Sequence, residues 1–110
     1  MKTIETELLK GTLEGTILAL LDAHPAYGYE ITNWLREHGF SDIAEGTVYA
    51  ILVRIEQRSL VSVERVPSEK GPPRKVYTLT SEGRTRLRTF WATWDSLTDR
   101  LERLRRKGME

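Results

Sequence analysis

Residues 45–58 place Val48, Ile51, Leu52 and Ile55 at i, i+3, i+4 and i+7, the spacing of one buried stripe on a short amphipathic helix. The segment after that helix constrains the fold. Leu60-Val-Ser-Val-Glu-Arg-Val66 alternates loosely as a strand, residues 67–73 are turn-rich, and Lys75-Val-Tyr-Thr-Leu79 is β-branched and aromatic enough to return as a second strand. Upstream, Leu9, Leu13, Ile17, Leu20 and Leu21 form a helical stripe that stops near Ala23-His24-Pro25, since proline cannot continue a helix and biases the residue before it toward extended geometry. A second helix begins around Tyr27-Gly-Tyr29, because Ile31, Trp34, Leu35 and His38 repeat the spacing and Gly39 supplies a stop.

Three helices and then a hairpin is the order of a winged helix-turn-helix. The expected fold is therefore mainly α with a small β-hairpin wing, in which residues 1–79 form a DNA-binding domain and residues 80–110 a C-terminal dimerisation helix. That last helix starts with Thr80 as N-cap and Glu82 in its first turn, where a carboxylate suits the positive end of the helix dipole. Beyond it Leu87, Phe90, Trp94, Leu97, Leu101 and Leu104 are separated by 3, 4, 3, 4 and 3 residues, a continuous seam for a partner helix. The seam can pack on the chain's own core or on a second copy. A helix of some 25 residues extends ~37 Å at 1.5 Å per residue, longer than so small a domain covers, and this favours a homodimer.

Composition narrows the classes. The chain has 110 residues, 39% hydrophobic and 30% charged, a single soluble domain's worth with no disordered character. Its longest uncharged apolar run, Gly15-Thr-Ile-Leu-Ala-Leu-Leu21, is far short of the ~20 residues that span a bilayer. Neither a basic n-region before that run nor a small-residue cleavage site after it suggests a secretory signal, and the absence of cysteine fits a cytoplasmic protein. A net charge of +1 leaves any case for nucleic acid to the placement of the basic residues.

Those placements are informative. On the face of the third helix opposite its buried stripe stand Thr47, Tyr49, Val53, Arg54 and Gln57; Arg grips a guanine edge in bidentate fashion, and Thr or Tyr holds a phosphate oxygen. The hairpin tip carries Lys70, Gly71, Arg74 and Lys75. Gly71-Pro72-Pro73 reads as a tight turn, and cations beside such a tip are placed to clasp phosphate or enter a minor groove. Tyr27 and Tyr29 either pack with their hydroxyls at the surface or touch phosphate. His24 and His38 are too few and too far apart for a metal site, and no cofactor is expected. The run Arg100, Arg103, Arg105, Arg106 and Lys107 reads as a solvated face at a dipole-friendly helix end. Trp91 and Trp94 are either core residues or a flat slot for a planar hydrophobic aromatic ligand.

Leu8-Leu-Lys-Gly-Thr-Leu-Glu-Gly15, Tyr27-Gly-Tyr-Glu30, Glu45-Gly-Thr-Val-Tyr49 and Glu69-Lys-Gly-Pro-Pro-Arg-Lys-Val-Tyr77, in that order and over nearly the whole chain, resemble the PadR family of bacterial transcriptional regulators. The resemblance implies a homodimeric repressor with a winged helix-turn-helix head. The single C-terminal helix is similar to that of the family's short-tailed subgroup, where it forms the dimer and lines an effector pocket. For Trp94 the resemblance implies rings paired across the dimer axis that sandwich a hydrophobic compound. The chain departs from the family pattern in two places. Many members have proline after the recognition-helix tyrosine and a basic pair four positions on, where this chain has Ala50 and Val53-Arg54, a change that bears on affinity and base preference.

A DNA-binding transcriptional regulator accounts for the helix order, the basic wing and the seam together. A protein-interaction module built on the same fold is the alternative, since fold alone does not establish DNA binding. An enzyme is not expected: the sequence has no Gly-rich phosphate loop leading from a strand, no Cys/His nucleophile pair and no carboxylate cluster with a histidine nearby.

Overall fold

The computed structural model describes residues 3–108, so the first two residues of the expected 1–79 unit and the last two of the 80–110 unit lie outside the described residues. Helix α1, Ile4–Ala23, is capped by Thr3, whose Oγ1 accepts from the Thr6 N–H at 3.1 Å, with Glu5 and Glu7 in the first turn. It buries Leu13, Ile17, Leu18, Leu20 and Leu21 and ends at His24, whose backbone is extended before Pro25. A two-residue strand, β1 (Ala26–Tyr27), then leads into α2, Gly28–Glu37. The Glu30 carboxylate accepts the Tyr27 N–H at 2.7 Å, so a first-turn acid satisfies the backbone at the helix entrance. Gly39, at φ +103°, turns the chain out of α2, in the left-handed region that glycine occupies without penalty.

Helix α3, Glu45–Gln57, buries Val48, Ile51, Leu52 and Ile55, the four residues of the i, i+3, i+4, i+7 stripe. Its exit is a tight reversal. The Ser59 N–H donates to Glu56 O at 3.0 Å and the Leu60 N–H to Ile55 O at 2.9 Å, with Ser59 at φ +59°; this is the Schellman pattern, with serine where glycine is usual. Strands β2, Val61–Val66, and β3, Arg74–Leu79, pair antiparallel from Val61↔Leu79 to Val66↔Arg74. The sheet has a third strand: β1 pairs with the other edge of β3, Ala26 opposite Tyr77 and Tyr27 opposite Val76, giving the order β1-β3-β2. The expected hairpin is thus anchored to the entrance of α2. Two residues are too few to show a period of two in the sequence.

Helix α4, Ser81–Lys107, is 27 residues long, is capped by Thr80 Oγ1 accepting from the Gly83 N–H at 3.0 Å, and ends at Gly108. Thr80 also donates its hydroxyl to Ser59 O at 2.7 Å and its N–H to Leu60 O at 3.1 Å, so one residue ties the exit of α3 to the start of α4. Over its first three turns α4 lies on the core. Gly83 has no room for a side chain against Leu60 and Leu79, Leu87 is 6% exposed, and Phe90 lies so close over Gly15 of α1 that a methyl group there would meet its ring. The last turns then run out from the body, and the whole measures 62 × 34 × 21 Å.

Part of the expected dimer seam is engaged within the chain. Leu87 is enclosed with Leu13, Ile17, Leu60 and Leu79 in the chain's own core, and Phe90 packs on that core. The seam's first two positions thus pack within the chain, where Gly15 and Gly83 let α4 approach closely. Among the described residues no helix is long and apolar enough to cross a membrane.

Candidate nucleic-acid interface

With Val48, Ile51, Leu52 and Ile55 inside, α3 leaves Thr47, Tyr49, Val53, Arg54 and Gln57 exposed. They do not all project alike. Tyr49, on one flank, lies against Gly28 at the start of α2, where an added Cβ would sit 3.3 Å from its ring. Behind it Tyr77 is 4% exposed; burial first, then the negative charge of Glu56 and the neighbouring Tyr49, push its phenol pKa up, because each disfavours the phenolate.

Arg54 occupies the other flank and is turned back toward α1. Its Nε lies 3.4 Å from Glu14 Oε1, and Arg58 Nη1 shares that oxygen at 3.4 Å, while Arg86 Nε of α4 donates to Glu14 Oε2 at 3.1 Å. The Glu14 side chain is 13% exposed and its three arginine partners are each about half exposed. One carboxylate thus gathers cations from α3 and α4, leaving a surplus of positive charge beside the helix. The helical pattern places Arg54 on the exposed side of α3, and its engagement with a carboxylate 40 positions away comes from the packing of α1 on α3.

The wing gathers the remaining sequence-marked residues. Tyr27 and Tyr29 stack with ring centroids 5.6 Å apart and planes 9° from parallel. The Arg74 guanidinium lies 5.2 Å from the Tyr29 centroid and 6.0 Å from that of Tyr27, and its Nη1 donates to the Tyr29 hydroxyl at 3.4 Å. Cation–π contact holds an arginine in place without neutralising it. Lys70, with Tyr27, Pro67, Ser68, Glu69 and Arg74, borders a shallow cleft of about 380 Å³. Gly71 sits at the tip with φ +100°. Lys75 stands directly opposite Arg65 across the β2–β3 ladder. Like charges so placed repel, and Arg65, which no motif marks, joins the wing's cations only through that register. Among the described residues, no carboxylate is paired with Arg65, Lys70, Arg74 or Lys75, whereas Arg103 and Arg105 of α4 pair with Asp99 and Glu102.

The outer part of α4 presents Trp91, Trp94, Leu97, Leu101 and Leu104, each 40–53% exposed. Trp91 packs edge-on against Phe90, centroids 5.1 Å apart at 60°. Trp94 and the three leucines continue along the helix, each about half exposed. Among the described residues, no group of three His, Asp or Glu side chains is gathered closely enough to hold a metal ion.

Comparison with known proteins agrees with this architecture. Residues 17–89 match the transcriptional regulator PadR-like family. The chain is 40% identical to a Streptococcus transcriptional regulator of known crystal structure, with a TM-score of 0.81 over 91% of this chain and 98% of that one. It is 34% identical to a PadR family transcriptional regulator from Eggerthella lenta, with a TM-score of 0.87 over 96% of this chain and 91% of that one. To a PadR-like transcriptional regulator from Bacillus cereus it is 35% identical, with a TM-score of 0.78 over 89% and 95% of the two chains.

Proposed function

Because the chain belongs to the PadR-like family of transcriptional regulators, winged-helix DNA-binding proteins rather than enzymes, we propose that it is a homodimeric repressor whose α3 enters the major groove while its wing grips the backbone. The observation that carries this reading is the placement of unpaired cations. Among the described residues Arg65, Lys70, Arg74 and Lys75 of the wing have no acidic partner; Arg65 and Lys75 stand opposite each other in the ladder, and Arg74 is held against Tyr27 and Tyr29. Repulsion between Arg65 and Lys75 is relieved when a phosphate lies between them. In this reading Thr47 and Tyr49 contact the DNA at the entrance of α3, Arg54 flanks the groove, Tyr27 or Tyr29 meets phosphate, and Gly71 brings the wing backbone close.

Dimerisation follows from Trp94, Leu97, Leu101 and Leu104, which one chain leaves uncovered. A contiguous exposed apolar face of this kind marks an interaction surface, and a twofold dimer presents two recognition helices to half-sites ~34 Å apart or a multiple of that. Residues 80–110 serve as the dimerisation unit and residues 1–79, with the first turns of α4, as the DNA-binding unit. At the dimer axis Trp91 and Trp94 accept a planar hydrophobic effector that releases the DNA.

The test is a fluorescence-anisotropy titration with a duplex selected by the protein from a random library and with a shuffled duplex of the same composition. The wild-type protein prefers the selected duplex. Lys75→Ala weakens both alike and lowers the log–log salt slope by ~0.9, the value of one phosphate contact. Equal binding of the two duplexes by the wild-type protein overturns the regulator reading and leaves a protein-interaction module. For the effector, quenching of tryptophan fluorescence by flat aromatic dyes at micromolar concentration is expected, and it is lost in Trp94→Ala; quenching that survives this change refutes the slot.

A further inference from the structure

The solvent-facing centre line of α3 carries no charge. Gly46, Ala50, Val53 and Gln57 follow one another at spacings of 4, 3 and 4 residues and are all exposed, which at 100° per residue sets them opposite the buried stripe. The charged and aromatic side chains lie on the flanks, Arg54 drawn to Glu14 on one side and Tyr49 laid against Gly28 on the other. The surface is open along the line. A Cβ added at Gly46 would meet nothing within 4 Å, and Val53 is 53% exposed.

The chemistry of this line limits what it can read. Guanine shows the major groove two acceptors and cytosine an amino donor, so reading a G·C pair directly calls for a side chain that donates or accepts. Ala50 and Val53, one turn apart, can do neither. Pressed against a G·C edge they would strip water from polar atoms without replacing it, an unfavourable exchange. The one apolar group on a major-groove edge is the C5-methyl of thymine, and against it Ala50 and Val53 gain by burial.

We propose that α3 reads thymine methyl groups through Ala50 and Val53, with Val53 the principal specificity-determining residue, so that each half-site carries thymines facing these two side chains. Gly46, without a side chain, lets the first turn of the helix come close to the base edges. Arg54, engaged with Glu14, does not supply the guanine contact that an arginine on such a helix would otherwise make. The inference rests on the proposed function, in which α3 is the recognition helix of a DNA-binding dimer.

Replacing single dT residues in one half-site of the selected duplex by dU tests it, because this removes only the methyl and keeps pairing and phosphates intact. At one or two thymines the dissociation constant rises about fourfold, the fold-change that corresponds to ~0.8 kcal/mol for one buried methyl group. Val53→Ala is the second arm. Val53 is exposed and alanine has the higher helix propensity, so the variant folds. It shrinks the dT-to-dU ratio at its own position toward one and leaves the salt slope unchanged, because no phosphate contact is touched. A selected duplex that binds tightly yet shows no uracil effect at any half-site position overturns the proposal and leaves the regulator reading standing. A uracil effect of the same size in Val53→Ala also overturns it. Failure of the wild-type protein to select any duplex removes both readings at once.

Discussion

Residues 81–90 and 91–107 of α4 carry apolar side chains at the same alternation of three and four, yet they meet different surroundings. In the inner part Leu87 is 6% exposed, Phe90 covers Gly15, and Gly83 sits against Leu60 and Leu79. In the outer part Trp94, Leu97, Leu101 and Leu104 are 40–53% exposed. Heptad spacing therefore reports that one face of a helix is apolar, and says nothing of what covers it. The difference is made by small residues elsewhere. Gly15 on α1 and Gly83 on α4 allow close approach, and beyond Phe90 the body of the chain ends. The inner half belongs to the head and holds it together; the outer half leaves its apolar side chains half exposed.

The largest expected effect breaks the outer half. Leu97→Glu with Leu101→Glu places two carboxylates on the exposed face, where association would have to bury them unpaired. Analytical ultracentrifugation should show a monomer in place of a dimer, with circular dichroism and head stability unchanged, and preference for a selected duplex should be lost with the second half-site. A wild-type protein that sediments as a monomer at micromolar concentration would show that the outer half is not a dimer surface.

The next pits the halves against each other by the same substitution. Leu87→Ala removes a buried side chain of the core and should lower unfolding free energy by ~2–4 kcal/mol, transfer and cavity contributions together. Leu104→Ala, made in the double-glutamate background so that no dimer intervenes, should change it by no more than ~0.5 kcal/mol. Urea denaturation reads both. Equal costs would mean that the outer half packs on the head after all.

How much of this was legible in the sequence depends on the distance over which each feature is encoded. The buried stripes of α1 and α3 and the Ile31–Leu35 pair of α2 are periodic over one segment, and the cap at Thr80 is a single residue before its helix, so pattern and position suffice; His38, read into the α2 stripe, is instead exposed as that helix's C-cap, past its last turn. Strand β1 is only Ala26–Tyr27 and exists because β3 is there to pair with it. Arg65 becomes part of the wing through a register with Lys75 that depends on the turn between them. The orientation of Arg54 depends on Glu14, brought near by the packing of α1 on α3 and α4. The split of the α4 seam depends on two glycines whose importance is visible only once the helices cross. Each of these is a contact between distant segments, and local periodicity carries no information about it.

A pH titration sharpens the description of the head. Tyr77 has a raised pKa through burial, with Glu56 and Tyr49 adding to it. The folded state therefore holds the phenolic proton more firmly than the unfolded chain, whose tyrosine ionises near ~10. Stability from this group is fully present below that unfolded value and is lost as pH rises from it through the higher folded pKa. Wild-type protein should lose stability above about pH 10 more steeply than Tyr77→Phe. Parallel curves for the two would show that Tyr77 ionises as freely in the head as in the unfolded chain.

The smallest expected effects concern ion pairs, and here too the halves of α4 differ in kind. In the outer half Arg103 pairs with Asp99 at i,i+4 and Arg105 with Glu102 at i,i+3, contacts that tie the helix only to itself. In the inner half Arg86 shares Glu14 with Arg54 and Arg58, so one carboxylate on α1 joins α4 to α3. The arginines are about half exposed, so solvent screens each pair and the sum stays modest. Glu14→Gln, which keeps the shape and removes the charge, should cost ~0.5–1 kcal/mol at low salt, and Asp99→Asn no more than ~0.3–0.5 kcal/mol. Raising the salt to about 1 M, where the screening length falls to ~3 Å, should erase most of both differences. The discriminating measurement is a double-mutant cycle. Glu14→Gln and Arg86→Gln should couple, because they share one contact, while Glu14→Gln and Asp99→Asn should add. Additivity in the first pair would mean that the Arg86–Glu14 contact does not help fix α4 to the head, and that the Glu14 carboxylate serves the α3 arginines.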